Sequence, residues 1–354
     1  MRALHGLATG VLRLLDPEDA HGLAIAALKA GLGPRARGAS DPILATTLAG
    51  MPLTNPIGLA AGFDKNAETA RAMLAAGFGF VECGTVTPLP QAGAPRPRLF
   101  RLTPERAVIN RLGFNNLGLE AFAARLAARQ AAGRCAGIVG ANIGANKESA
   151  ARVADYVAGL TRLWGLCDYF TLNISSPNTP GLRALQSGTA LTELLDAVMG
   201  ARAVLAERGA APVFLKVSPD LREADVVEIA EAALRYGLDG LIVSNTTVAR
   251  PAGLRGVHRG EAGGLSGAPL MGPSTRLLGD FHQAAGGRLT LIGVGGVRDG
   301  ADAYAKVRAG ASAVQFYSAL VFAGPGLILS IRRDLAARLR ADGFSRVAEA
   351  VGAR

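Results

Sequence analysis

The sequence predicts an α/β chain, an eight-stranded parallel β/α barrel carrying a small N-terminal helical hairpin. Three observations support this. Apolar, strand-like runs alternate with helix-patterned stretches eight times from about residue 41 onward. Polar residues recur at the C-terminal ends of those runs, more regularly than core packing requires. No Gly-x-Gly-x-x-Gly opens the first unit, which weakens the alternative of an open doubly wound sheet.

Composition sets the frame. The chain has 354 residues, 49% hydrophobic and 19% charged, the balance of a well-buried globular enzyme. No apolar run reaches the roughly 18 residues of a membrane-spanning helix, and no secretory signal with a cleavage site is legible. Cys83, Cys135 and Cys167 are odd in number and lack CxxC spacing, so free buried thiols are expected rather than a disulfide framework. His5, His21, His258 and His282 show no ligand spacing, so no metal is expected. The net charge is +10, but the arginines are scattered with few interleaved aromatics. That argues against nucleic acid and for a phosphate-bearing cofactor, an anionic substrate or an anionic membrane surface.

In chain order, residues 1–40 come first. Leu4, Leu7, Ala8, Val11, Leu12 and Leu15 recur at helical spacing. Asp16-Pro17-Glu18-Asp19 ends that helix and starts another, with Asp16 as N-cap and Pro17 at the first position. The second helix carries Leu23, Ala24, Ala27 and Leu28 and ends near Gly31. The hairpin reads either as a cap packed on the barrel or as a membrane-surface element admitting a lipid-soluble molecule. Residues 41–354 hold the barrel. Strands are expected at 55–62, 79–87, 137–144, 169–175, 213–218, 240–246, 289–296 and 313–318. Helices are expected between them, among others at 67–76, 117–132, 190–208, 223–236 and 299–308.

The strand ends carry the chemistry. After Tyr169 to Ile174, the residues Ser175, Ser176, Pro177, Asn178, Thr179, Pro180 and Gly181 form a loop stiffened by two prolines. Gly293-Val-Gly-Gly296 and Gln315-Phe-Tyr-Ser318 end the last two strands. Gly295, Gly296, Tyr317 and Ser318 are the expected phosphate cradle, because glycines let backbone N–H groups approach an anion. Lys65 and Lys216 lie at strand ends, where each either pairs with an acid or faces an anionic ligand. Asn110, Asn173, Asn178 and Asn245 gather neutral donors and acceptors suited to a cyclic imide.

These residues resemble a known family. Asn55-Pro-Ile-Gly-Leu-Ala-Ala-Gly-Phe-Asp-Lys-Asn66, Cys83-Gly-Thr-Val-Thr-Pro88, Ile109-Asn-Arg-Leu-Gly-Phe-Asn-Asn116, Asn173-Ile-Ser-Ser-Pro-Asn-Thr-Pro-Gly181, Ser244-Asn-Thr-Thr247, Gly264-Leu-Ser-Gly267 and Gly293-Val-Gly-Gly296 together are similar to the quinone-dependent (class 2) dihydroorotate dehydrogenases. The likeness covers nearly the whole chain. It implies that FMN is held by Ala60, Ala61, Gly62, Phe63, Asp64, Lys65, Thr85, Asn142, Asn173, Lys216, Ser244, Gly267, Gly296, Tyr317 and Ser318. Dihydroorotate would contact Lys65, Asn110, Arg111, Leu112, Gly113, Phe114, Asn173, Asn178, Asn245 and Thr246, with Ser176 as catalytic base. A serine at 176, where the cytosolic relatives carry cysteine, and the N-terminal segment both point to the quinone class. His21 and Arg101 resemble residues near the quinone headgroup. Ala145 departs from the lysine frequent in relatives.

The implied activity is oxidation of dihydroorotate to orotate in UMP synthesis, with FMN as hydride acceptor and a membrane quinone as final acceptor. The implied state is a monomer bound peripherally to the cytoplasmic side of a bacterial inner membrane. Rival readings are another FMN barrel oxidoreductase, a dihydroorotate enzyme using fumarate or NAD, and a non-catalytic phosphate-ligand binder.

Overall fold

In the computed structural model, which describes residues 9–133 and 137–353, eight parallel strands close into a barrel. Two short strands precede it, β1 (Thr46–Leu48) and β2 (Met51–Leu53). The barrel strands are β3 (Ile57–Leu59), β4 (Phe80–Val86), β7 (Ile138–Ile143), β8 (Tyr169–Asn173), β9 (Val213–Val217), β10 (Gly240–Val243), β12 (Thr290–Val294) and β13 (Ala313–Phe316). Each falls inside a run expected from the sequence. They are nearly all buried because helices cover the outside and side chains fill the inside, which is why they read as continuous apolar runs. Helices include α2 (Ala70–Ala75), α3 (Gly118–Ala131), α4 (Arg152–Leu163), α5 (Gly188–Leu205), α6 (Glu223–Arg235), α7 (Met271–Ala284) and α8 (Gly300–Arg308).

Inward side chains recur every second residue and stack in layers. Low in the barrel lie the rings of Phe80, Tyr169 and Phe214, with Ile242, Ile292 and Ala313. Glycines make room for them. A Cβ at Gly140 would lie 2.1 Å from the Tyr169 ring, and one at Gly58 would lie 2.3 Å from Phe80. The antiparallel β1–β2 hairpin closes this end with Leu48 and Leu53. Two residues up, the inward position turns polar on five of the strands: Glu82, Asn142, Thr171, Lys216 and Gln315, all buried. The barrel is therefore plugged with apolar rings below and floored with polar groups above.

Two features lie outside the sequence expectation. One is the β1–β2 hairpin. The other is a three-stranded antiparallel sheet on the carboxyl rim, β5 (Leu99–Leu102), β6 (Ala107–Asn110) and β11 (Gly264–Gly267). It has its own small core of Phe100, Leu102, Ala107, Ile109, Leu254 and Leu265.

At the N-terminus, residues 9–12 are helical, and α1 (Pro17–Lys29) follows. The Asp16 carboxylate accepts from the N–H groups of Glu18 and Asp19 at 2.8 and 3.2 Å, as its N-cap position predicts. Leu4, Leu7 and Ala8 of the expected first helix lie outside the described residues. Among the described residues, no helix is long and apolar enough to cross a membrane.

Candidate active site

The polar strand ends meet at a single cavity of about 430 Å³ on the carboxyl rim. Thr85, Asn173, Ser176, Lys216, Ser244 and Gly296 line one end, and Leu12, Ala20, His21, Ala24 and Leu28 of the N-terminal helices line the other. Ala60, Ala61, Gly62, Phe63, Lys65, Gly267, Tyr317 and Ser318 also line it. So do Asn110, Leu112, Gly113, Phe114, Asn178, Asn245, Thr246 and Arg101. Three residues named from the sequence do not. The Asp64 carboxylate turns back to accept from the N–H groups of Glu68 and Thr69, at 2.8 and 2.6 Å. Arg111 pairs with Glu261 at 2.7 Å and lies over the Phe100 ring. Asn142 lies one layer below, bonded to Thr85 and Glu82.

The floor is a hydrogen-bonded hub around Glu82. Its carboxylate accepts from Asn142 Nδ2 (2.7 Å), Tyr169 OH (3.1 Å), Thr171 Oγ1 (3.1 Å) and Gln315 Nε2 (3.0 Å), with Lys216 Nζ at 3.9 Å. A fully buried carboxylate is tolerated only with such partners. Sequence reading missed Glu82, although one acid at an inward position of the apolar run Phe80–Val86 was the available signal. Above it, Asn173 Nδ2 donates to Thr85 Oγ1 (2.8 Å), and Asn245 Nδ2 donates to Asn173 Oδ1 (3.2 Å) and Ser175 Oγ (2.9 Å).

Two clamps fix the loops over this floor. Arg183 donates to the carbonyls of Ser175 (3.1 Å) and Thr246 (3.0 Å) while its other nitrogen pairs with Asp220 (2.8 Å), joining three strand-end loops beside Ser176. Ser176 Oγ is buried and accepts the Asn178 N–H at 3.2 Å. Asn178 Nδ2 in turn donates to Asn110 Oδ1 at 3.2 Å. Phe114 has φ +55°, a left-handed conformation that costs a non-glycine residue about 1–2 kcal/mol. Gln91 Nε2 holds it there, donating to the carbonyls of Gly113 (3.0 Å) and Phe114 (3.2 Å). Among the described residues, Thr179 Oγ1, three residues from Ser176, is buried without a hydrogen-bond partner.

The electrostatics favour an anionic ligand. Lys65 Nζ donates to the Gly62 carbonyl at 2.8 Å, and among the described residues it makes no ion pair. Burial pushes it down to about 8, against the raising influence of Glu18. Lys216 is also pushed down by burial, with Glu82 opposing. Two buried amines line one cavity, Lys65 without an ion pair among the described residues and Lys216 with Glu82 at 3.9 Å; with the side-chain-free Gly295–Gly296 turn they fit a cofactor bearing a phosphate. At the hairpin end, the His21 ring meets Phe63 edge-on at 5.4 Å, and its Nδ1 lies 3.4 Å from Tyr317 OH. Burial, then Lys65, pushes His21 down to about 3, so it is neutral near pH 7. Arg101 donates to the carbonyls of Leu12, Arg13 and Leu15, capping the first helical stretch, while its Nε is buried and has no partner among the described residues.

A closed parallel barrel with a cavity at its carboxyl rim, into which the polar strand ends reach, is the architecture of a barrel enzyme. Residues 43–339 match the family model described as dihydroorotate dehydrogenase. A protein of Parvibaculum lavamentivorans named dihydroorotate dehydrogenase (quinone) is 57% identical, over 99% of this chain and 98% of its own. One of Rhodospirillum rubrum with the same name is 56% identical, over 96% and 91%. The crystal structure of the Eimeria tenella DHODH in complex with ferulenol superposes with a TM-score of 0.92 at 39% identity, covering 95% of each chain. The chain belongs to the dihydroorotate dehydrogenase family.

Proposed function

We propose that this chain oxidises (S)-dihydroorotate to orotate, with FMN as hydride acceptor and a membrane quinone as final acceptor, in pyrimidine synthesis. One observation carries the reading: a single cavity joins the amide-lined barrel mouth to the apolar inner faces of the N-terminal helices. A polar imide and a lipid-soluble acceptor can thus approach one cofactor from different sides.

FMN would rest on Ala60 to Gly62, Thr85, Asn173, Lys216 and Ser244, with its phosphate at Gly296, Tyr317 and Ser318. Bound there, it supplies a two-electron acceptor that both substrates can reach. Asn110, Asn178, Asn245 and Thr246 would read the edges of the dihydroorotate ring, and Lys65 would hold its carboxylate. Ser176 Oγ would take the C5 proton as the C6 hydride departs. A hydroxyl is a weak base in water, so the site must dry and relay it. Phe114 covers the loop, and the unpartnered Thr179 hydroxyl offers the next station for the proton through an ordered water. His21, neutral, and Arg101 would meet the quinone headgroup.

Residues 1–40 act in this reading as the quinone-access and membrane-surface segment, and 41–354 as the catalytic barrel. Val11, Leu14, Leu23 and Leu32 are 58%, 85%, 53% and 71% exposed, which suits a monomer seated on the inner-membrane face rather than one free in water. The test is optical. The purified protein should be yellow, dihydroorotate should bleach it anaerobically, and a soluble quinone should restore the colour. A colourless protein, or a flavin that dihydroorotate leaves oxidised, defeats the proposal; recovery with fumarate and not with quinone favours the fumarate-linked rival.

A further inference from the structure

Behind the Gly295–Gly296 turn lies a buried cation that the reaction above does not use. Lys306, in the last turn of α8, has no exposed surface. Its Nζ donates to Ser274 Oγ at 2.8 Å and Thr275 Oγ1 at 3.0 Å, both on α7. Ser274 Oγ, itself fully buried, bonds to the carbonyls of Gly295 (3.0 Å) and Leu270 (2.7 Å). The amine therefore stands one hydroxyl away from the backbone of the turn.

The turn needs such support. Gly295 and Gly296 have φ of +102° and +82°, and a Cβ at Gly296 would lie 2.3 Å from the Met271 nitrogen. Two successive left-handed glycines have little intrinsic preference for one shape. The Ser274 bond to Gly295 supplies it. The charge is also without an obvious counterpart. Among the described residues Lys306 makes no ion pair, and Asp302 on the same helix is engaged by both arms of Arg298 at 2.8 and 3.2 Å. A buried ammonium held only by hydroxyls is costly unless an anion lies near. Burial pushes Lys306 down to about 7, with Asp302 opposing, so an anion bound near it would restore the charged form.

We infer that Lys306 is a positioning residue for the cofactor's phosphate, which through Ser274 fixes the Gly295–Gly296 turn and makes it select a phosphorylated flavin over an unphosphorylated one. This rests on the FMN reading. It differs from a packing role in its dependence on the phosphate alone.

The test is equilibrium dialysis of the full-length protein against FMN and, separately, riboflavin. Lys306→Met keeps the volume and removes the charge; Ser274→Ala keeps the charge and removes the link. Lys306→Met should lower the FMN-to-riboflavin affinity ratio by at least about tenfold, the usual scale for losing a hydrogen bond to a charged group, with riboflavin binding changed less than about twofold. Ser274→Ala should lower the ratio at least as far, because the amine reaches the turn through that hydroxyl. Equal loss of both flavins, or an unchanged ratio, overturns the inference. If Lys306→Met does not fold, Ser274→Ala decides alone by the same two outcomes. A wild-type protein that binds neither flavin, or does not prefer FMN, overturns the FMN reading itself.

Discussion

The barrel mouth and the N-terminal hairpin share one cavity but are held in place by different forces. At the mouth, polar side chains are buried and satisfied by one another. Glu82 gathers four donors, and Arg183 ties three loops together beside Ser176. The Glu82 hub sits on the barrel strands themselves, and Arg183 reaches back to them from the loop after β8. The hairpin is attached mainly from its edge. Ala20 is the one buried residue of α1, and charge pairs hold the helix down: Glu18 with Arg98 at 2.7 Å, Asp19 with Arg96 at 3.0 Å and Lys29 with Glu68 at 2.6 Å. Proton abstraction requires atoms fixed to fractions of an ångström. Admission of a lipid-soluble acceptor requires an element that can loosen without disturbing them. The difference predicts that the two half-reactions can be damaged separately.

The sharpest break is at the mouth. Ser176→Ala should slow flavin bleaching by dihydroorotate at least about 10²-fold, the usual loss for a general base. Reoxidation of the dithionite-reduced variant by quinone should stay at the wild-type rate. Unchanged stopped-flow bleaching would remove Ser176 from its role. The complementary break is at the hairpin. Deleting residues 1–35 should raise the Michaelis constant for quinone at least about tenfold, equivalent to losing the burial of a single leucine-sized group. Bound FMN and dihydroorotate bleaching should survive. A normal quinone constant in that variant means the acceptor enters elsewhere.

The same contrast explains what was legible in the sequence. All eight barrel strands could be read because each is a short apolar run ending in polar residues, a local pattern. Asp16-Pro17 marked the start of α1 for the same reason. The rim sheet could not be read. Its β11 pairs with β6 about 150 residues away through four-residue strands, and nothing local announces such a partner. Side-chain direction was also hidden. The Asp64-Lys65 motif placed both residues at the mouth, but Lys65 faces the cavity while Asp64 turns back onto Glu68 and Thr69. Glu82 and Lys306 fall within an expected strand and an expected helix, and neither was singled out. Their burial depends on what packs against them from distant parts of the chain.

A subtler probe of the mouth is pH. Lys65, pushed down by burial to about 8, is charged below that value and neutral above it. If it holds the dihydroorotate carboxylate, affinity should be flat below pH 8 and fall about tenfold for each further unit, since only the protonated amine binds the anion. The Michaelis constant for dihydroorotate measured between pH 6 and 10 checks this, and the constant for quinone should not follow it. A flat profile for both would mean that the amine is held charged by another group or does not touch the substrate.

The smallest expected effect lies in the hinge between the two regions. Hydrogen bonds from Arg98 hold the Glu18 carboxyl below its ordinary value of 4.5. A depressed carboxyl contributes docking energy that is fully present above its unfolded value and is lost as pH falls through the folded one. Acid should therefore loosen α1 before it unfolds the barrel. Glu18→Gln should reproduce that loosening at neutral pH. Arg98 keeps the Ala92 and Ala94 carbonyls as acceptors, at 2.6 and 2.7 Å, so the variant should lose about 1 kcal/mol of docking rather than the whole worth of a buried pair. Amide exchange across residues 17–29 should then quicken several-fold, with a matching rise in the quinone constant, while exchange in the barrel strands holds still. If the strands quicken along with α1, the hairpin is part of the barrel's cooperative unit, and the separation of fixed mouth from loosenable entrance is lost.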